Sequence, residues 1–136
     1  MADLKISEKE LLSLAIKARE SSYCPYSGIS VGAALFTKSG KIYYGANIEN
    51  SSFSPTVCAE RVAFFKAISE GEREFAAIAI AGGEKGKESK EHFPPCGVCR
   101  QVMGEFCDSD FVIIFGNDEN NTVTTLGEIL PHSFKL

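Results

Sequence analysis

The stretch VCAERVAFFKAISEG, residues 57–71, is followed after three residues by FAAIAIAG, residues 75–82. The first carries apolar side chains at helical spacing through Val62, Phe65 and Ile68 and stops at Gly71, a residue suited to the left-handed turn that ends a helix. The second is a continuous apolar run of strand length. A helix followed by a strand is one unit in the alternation from which a layered α/β chain is built.

The elements on either side agree. Ser7 followed by Glu10 has capping-box spacing and opens SEKELLSLAIKARESS, where Leu11, Leu12, Leu14, Ala15 and Ile16 form one stripe. VGAALFT and KIYYGAN flank Ser39 and Gly40, a hairpin signal. A third helix follows PPCGVCRQVMGEFC, DFVIIFGN is a β-rich buried strand, TVTTL adds a short strand and LGEIL a last helical turn. The order predicts a three-layer αβα fold: a mixed five-stranded sheet with helices on both faces, its first two strands antiparallel and later ones joined by crossovers. The polar run GGEKGKESKEHFPP, residues 82–95, reads as an exposed loop inside one domain spanning residues 1–136.

Composition narrows the function. With 44% hydrophobic and 24% charged residues, the 136-residue chain has the balance of an ordinary globular domain, and no stretch is apolar enough to span a bilayer. A net charge of −4 gives no basic footprint for a polynucleotide, so free small molecules are the expected partners. The opening MADLKISEKE lacks the basic start and apolar run of a secretory signal, which places the protein in the cytoplasm. Five cysteines, Cys24, Cys58, Cys96, Cys99 and Cys107, are an odd number for a disulfide framework, and clustered thiols in a reducing compartment suit metal binding or catalysis.

Two of these clusters open helices. Cys58 stands at the start of the 57–71 helix, and PCGVC, residues 95–99, puts Cys96 and Cys99 at the start of the next. Helix N-termini are positive, so thiols there ionise readily, and two such ends aimed at one point can hold three thiolates around a tetrahedral zinc. Three protein ligands leave a fourth position open, the mark of a catalytic zinc that makes water easier to deprotonate. Glu60, two residues beyond Cys58, can lie beside that position without binding the metal and is a candidate proton shuttle. A CxxC alone suits a redox pair or half of a structural zinc site equally well; Cys58 and Glu60 on a second helix start favour catalysis. Cys24 and Cys107 read as apolar fillers, and neither His92 nor His132 is needed as a ligand.

CAE followed some forty residues later by PCGVC resembles the cytidine deaminase family, and the likeness runs from PYSGISVGAAL through GANIEN and CAER to PCGVCRQV and ILPHSF. It is greatest for the small, all-cysteine, homotetrameric branch acting on free nucleosides. The resemblance implies one Zn²⁺ per chain on Cys58, Cys96 and Cys99, with Glu60 as general acid and base. It implies Asn47 and Glu49 as the grip on the nucleoside sugar, and a base pocket using the backbone of Ala59 and the carbonyl before Pro95. Phe134 would reach a neighbouring subunit's site. Arg61 matches a family arginine that hydrogen-bonds ligand sulfurs and offsets their charge. Ile29 stands where relatives carry a phenylalanine near the pyrimidine, and Pro94 replaces the commoner serine or threonine. The implied activity is hydrolytic deamination of cytidine and 2′-deoxycytidine in pyrimidine salvage. Its rivals are deamination of a cytosine-containing nucleoside antibiotic, in whose family the Asn47 and Glu49 pattern is not kept, and a structural zinc module, which has no use for Glu60.

Overall fold

A computed structural model describes residues 5–136; the first four residues of the MADLKISEKE opening lie outside the described residues. Helix α1 (Glu8–Ala18) runs into a 3₁₀ turn (Arg19–Ser21), then come strands β1 (Ile29–Thr37) and β2 (Ile42–Ala46), helix α2 (Ala59–Ser69), strand β3 (Phe75–Glu84), helix α3 (Gly97–Phe106), strands β4 (Val112–Gly116) and β5 (Asn121–Thr125), and a short helix α4 (Leu126–Ile129). The expected elements are all present. The strands lie in the order β2-β1-β3-β4-β5, with β3 and β4 parallel and the other neighbouring pairs antiparallel. Helix α3 is the crossover that the parallel pair requires, and α2 carries the chain from β2 over β1 to β3.

Local chemistry accounts for the element ends. Ser7 Oγ accepts from the Glu10 backbone N–H at 3.1 Å, capping α1, while the Glu10 carboxylate turns back to the Ser7 hydroxyl rather than to its N–H. At the end of α2 the N–H of Gly71 (φ 99°) donates to Ile68 O and that of Glu72 to Ala67 O, the paired bonds of a Schellman stop. Gly40, at φ 93°, turns the β1–β2 hairpin.

Two cores flank the sheet. On one face α1 packs Leu11, Leu12 and Ala15 on Ala34, Phe36, Ala77, Ala79 and Ala81. On the other, α2, α3 and α4 enclose Leu35, Ile78, Ile80, Phe64, Met103 and Phe111, with the Phe64 ring 5.0 Å from that of Phe75 and 5.9 Å from that of Phe111. Helices α1 and α2 each reach the sheet over a glycine: a Cβ on Gly32 would fall 2.1 Å from Ala15 O, and one on Gly45 would fall 2.1 Å from Ala59 O. Only glycine permits that approach.

Most of the 82–95 stretch is the exposed loop the sequence suggests, but it is anchored at several points. Strand β3 continues to Glu84, the Phe93 ring lies over Gly82 where any side chain would collide, and Ser89 and Pro95 are buried. The buried Arg19 guanidinium ties it down, donating to Glu84 O at 3.0 Å and Lys87 O at 2.9 Å as well as to Ser30 O at 3.0 Å. A charged run is thus held by its backbone while its side chains stay in water. Among the described residues no helix is long and apolar enough to cross a membrane.

Candidate active site

Cys58 and Cys96 are the N-cap residues of α2 and α3, and neither sulfur is used for capping. Cys99 follows three residues into α3. The three Sγ atoms lie within 4.8 Å of one another, with Cys58 and Cys96 separated by 3.7 Å. Four ligands about 2.3 Å from zinc stand about 3.8 Å apart along the edges of a tetrahedron, so the spacing of the three thiols fits a zinc ion, and among the described residues no further His, Cys, Asp or Glu joins the group. Burial is graded: Cys99 is buried, Cys58 half-buried and Cys96 exposed, which opens the cluster to solvent on one side.

Charge is already unevenly shared among these groups. The Cys58 thiol is lowered to about 5, chiefly by a hydrogen bond from Cys99 and, against the opposing effect of burial, by Arg61, whose Nη2 donates to Cys58 Sγ at 3.6 Å. Cys99 is pushed up, because its proton is held by Cys58 and because it is buried. Glu60, in the first turn of α2 and only 4% exposed, has its carboxyl raised to about 7, first by burial and then by the negative charge on Cys58. A carboxyl poised there exchanges protons in both directions near neutral pH. The Arg61 Nε is buried without a partner, so this guanidinium is oriented by sulfur at one end only.

The loops after β2 and before β1 form the second part. Asn47 is nearly buried; its Oδ1 accepts from Val31 N and its Nδ2 donates to Ile29 O, both at 2.8 Å, so the amide holds the start of β1 and keeps one N–H free. Glu49 lies beyond the strand end; its Oε1 accepts from the N–H groups of Tyr26 at 2.9 Å and Ser27 at 3.1 Å, and its Oε2 from the Ser27 hydroxyl. Ile48 between them bridges Tyr23 on one side and Val57 on the other, which leads the backbone directly to Cys58.

Ile29 packs against the same core as Cys58 and Phe93, and Ala59 is fully buried at the start of α2. Phe134 is 67% exposed in the tail beyond α4. Cys24 and Cys107 are buried, burial and then Asp108 pushing the latter up to about 12. Two residues that sequence reasoning passed over carry the architecture. Ser27 contacts Glu49, and Arg100, next to Cys99, donates to Pro95 O at 2.8 Å and Ile129 O at 2.9 Å, joining the loop before Cys96 to the C-terminal segment. Ser27 lies within the quoted PYSG stretch, but its role depends on a pairing with Glu49 across 22 positions that no local pattern displays. A cavity of about 400 Å³ lined by Leu14, Lys17, Tyr44 and Lys66 sits at the β2 edge and includes none of the thiols.

Comparison with known proteins is consistent with this geometry. Residues 5–115 match the family model described as cytidine and deoxycytidylate deaminase zinc-binding region. The chain is 48% identical to a cytidine deaminase of Halalkalibacterium halodurans over 91% of each chain, and 46% identical to one of Sporosarcina psychrophila over 93% of this chain and 90% of the relative. It superposes on the crystal structure of cytidine deaminase from Burkholderia pseudomallei with a TM-score of 0.85 at 42% identity, covering 95% of this chain and all (100%) of that one.

Proposed function

The chain belongs to the cytidine deaminase family, whose reaction is zinc-dependent hydrolysis of cytidine to uridine and ammonia, and we propose that Glu60 carries the proton for that reaction here. The observation behind this reading is a buried carboxyl raised to about 7 beside three clustered thiols. Cys58, Cys96 and Cys99 are the residues that would hold the metal. Zinc so bound supplies a Lewis acid that lets water give up a proton near neutral pH. Glu60 would take one proton from the water and deliver it to ring nitrogen 3 of cytosine as the remaining hydroxide adds to carbon 4; it would then take the proton of the new carbon 4 hydroxyl and pass it to the amino group, so that the carbon–nitrogen bond breaks, ammonia leaves and the carbonyl of uridine forms. Arg61 offsets sulfur charge, since three thiolates on a divalent ion leave the centre negative.

On the substrate side, Ile29, the backbone of Ala59 and the Pro94 carbonyl frame the base. The free N–H of Asn47 and the remaining acceptor capacity of Glu49 face the sugar. Phe134 closes a neighbouring copy's site in a homotetramer, and the exposure of Phe134 and of Phe65 on α2 supports that assembly. The chain acts as one domain, in the cytoplasm, on cytidine and 2′-deoxycytidine for salvage. Purified protein assayed for zinc and incubated with cytidine, 2′-deoxycytidine, cytosine and CMP should release ammonia from the two nucleosides and little from the others. Full zinc occupancy with no release from any of them would overturn the assignment.

A further inference from the structure

A carboxylate offers about four acceptor positions, and in Glu49 three are occupied within the chain: two on Oε1 by the N–H groups of Tyr26 and Ser27, one on Oε2 by the Ser27 hydroxyl. One position on Oε2 remains. The Ser27 hydroxyl has a single proton; it donates that proton to Glu49 and accepts from Ile29 N at 3.0 Å, so its direction is set from both sides. The segment it steadies is steadied again by Asn47, which binds Ile29 O and Val31 N. Ser27 therefore links a sugar-facing carboxylate to the first residue of β1, a base-facing residue, through one oxygen.

We propose that Ser27 is a positioning residue for sugar recognition: its hydroxyl fixes the Glu49 carboxylate in one orientation, so that a single acceptor on Oε2 is presented to a single sugar hydroxyl. The inference rests on the assignment of Glu49 to the sugar. The Ser27 hydrogen bond also holds the Glu49 carboxyl below its ordinary range, in keeping with a hydroxyl that donates to the ionised form. Glu49 then reads one hydroxyl and not a pair. Of 2′-deoxycytidine and 3′-deoxycytidine, only the one lacking that hydroxyl should lose the contact.

Kinetics of wild type, Ser27→Ala, Ser27→Thr and Glu49→Ala with cytidine, the two deoxynucleosides and cytosine test this. Ser27 is exposed, so its variants should fold, and melting temperature and zinc content would verify that they do. Ser27→Ala should raise KM for cytidine roughly tenfold with kcat within about twofold, since a charge-assisted contact is lost from the ground and transition states alike. Ser27→Thr, which keeps the hydroxyl, should recover most of that loss. The Ser27→Ala penalty should vanish for cytosine and for one of the two deoxynucleosides. An equal penalty on all four substrates would reduce Ser27 to a structural residue and overturn the proposal. If Glu49→Ala narrows the preference for cytidine over cytosine while Ser27→Ala leaves KM unchanged, the positioning role fails and the sugar assignment stands. If Glu49→Ala leaves that preference intact, the assignment fails and the proposal falls with it.

Discussion

Arg61 Nη2 donates to Cys58 Sγ at 3.6 Å from one turn along the same helix, so a cation and a thiolate that could each have faced solvent neutralise one another at the start of α2. Cys58 owes its low pKa of about 5 first to Cys99 and then to this arginine. In chelator-treated protein, alkylation of Cys58 by iodoacetamide should therefore vary little between pH 6 and 8. Cys99→Ala should restore a rising pH dependence, and Arg61→Ala a weaker one. A flat profile in both variants would remove these contacts as the cause.

Cys58→Ala, Cys96→Ala and Cys99→Ala should each lose stoichiometric zinc and activity together, because two thiolates do not complete a site that already has an open position. Zinc content after dialysis is the measurement; full occupancy in any variant would exclude that residue as a ligand.

Glu60→Gln should retain zinc and bind nucleoside but lose about 10³–10⁴-fold in kcat, since an amide cannot shuttle a proton. The metal-free protein offers a separate check. The folded Glu60 carboxyl is raised from 4.5 to about 7, so the folded state binds more protons than the unfolded one between those values. The stability this gives is present below about pH 4.5 and lost as pH rises through 7. Relative to Glu60→Gln, metal-free wild type should thus lose up to about 3 kcal/mol between pH 4.5 and 8, read from denaturant midpoints. A constant difference would mean that the carboxyl titrates normally.

Gly45→Ala and Gly32→Ala should both destabilise, by about 1–3 kcal/mol or more, because each new Cβ meets helix backbone at 2.1 Å. They should differ in metal binding. Gly45 lies against Ala59, between Cys58 and Glu60, so displacing α2 should weaken zinc affinity, whereas Gly32 lies against α1 on the opposite face. Zinc titration of the two folded variants tests this; equal affinities would show that the thiols tolerate a shifted helix.

The strands, helices and thiol triad were legible because period, turn residues and helix starts are local signals, each written within a few consecutive residues. The antiparallel pairing of β1 with β3 was not, since it joins segments more than forty residues apart (Ala33 with Ile80) that no local signal relates. Over residues 82–95 composition marked the exposed loop but not its anchors: Lys and Glu describe where side chains point, while Arg19, Phe93 and Asn117 hold the backbone of that stretch. For Asn47 and Glu49 the sequence suggested open hydrogen-bonding groups, yet most of their capacity is already used to shape the β1 entrance. A polar residue displays its chemistry in the sequence, but its partners appear only in three dimensions.

Helices α2 and α3 each begin on a thiol, and those two thiols are 38 positions apart. An ion bound by both ties that length of chain together in the folded state only, and since the unfolded chain presents no preformed site, its binding free energy adds directly to the stability of the fold. The length so tied includes α2 and β3, whose buried side chains include Phe64, Ile78 and Ile80. Cellular zinc supply would then govern how long the polypeptide survives unfolding and proteolysis as well as how fast it turns over substrate.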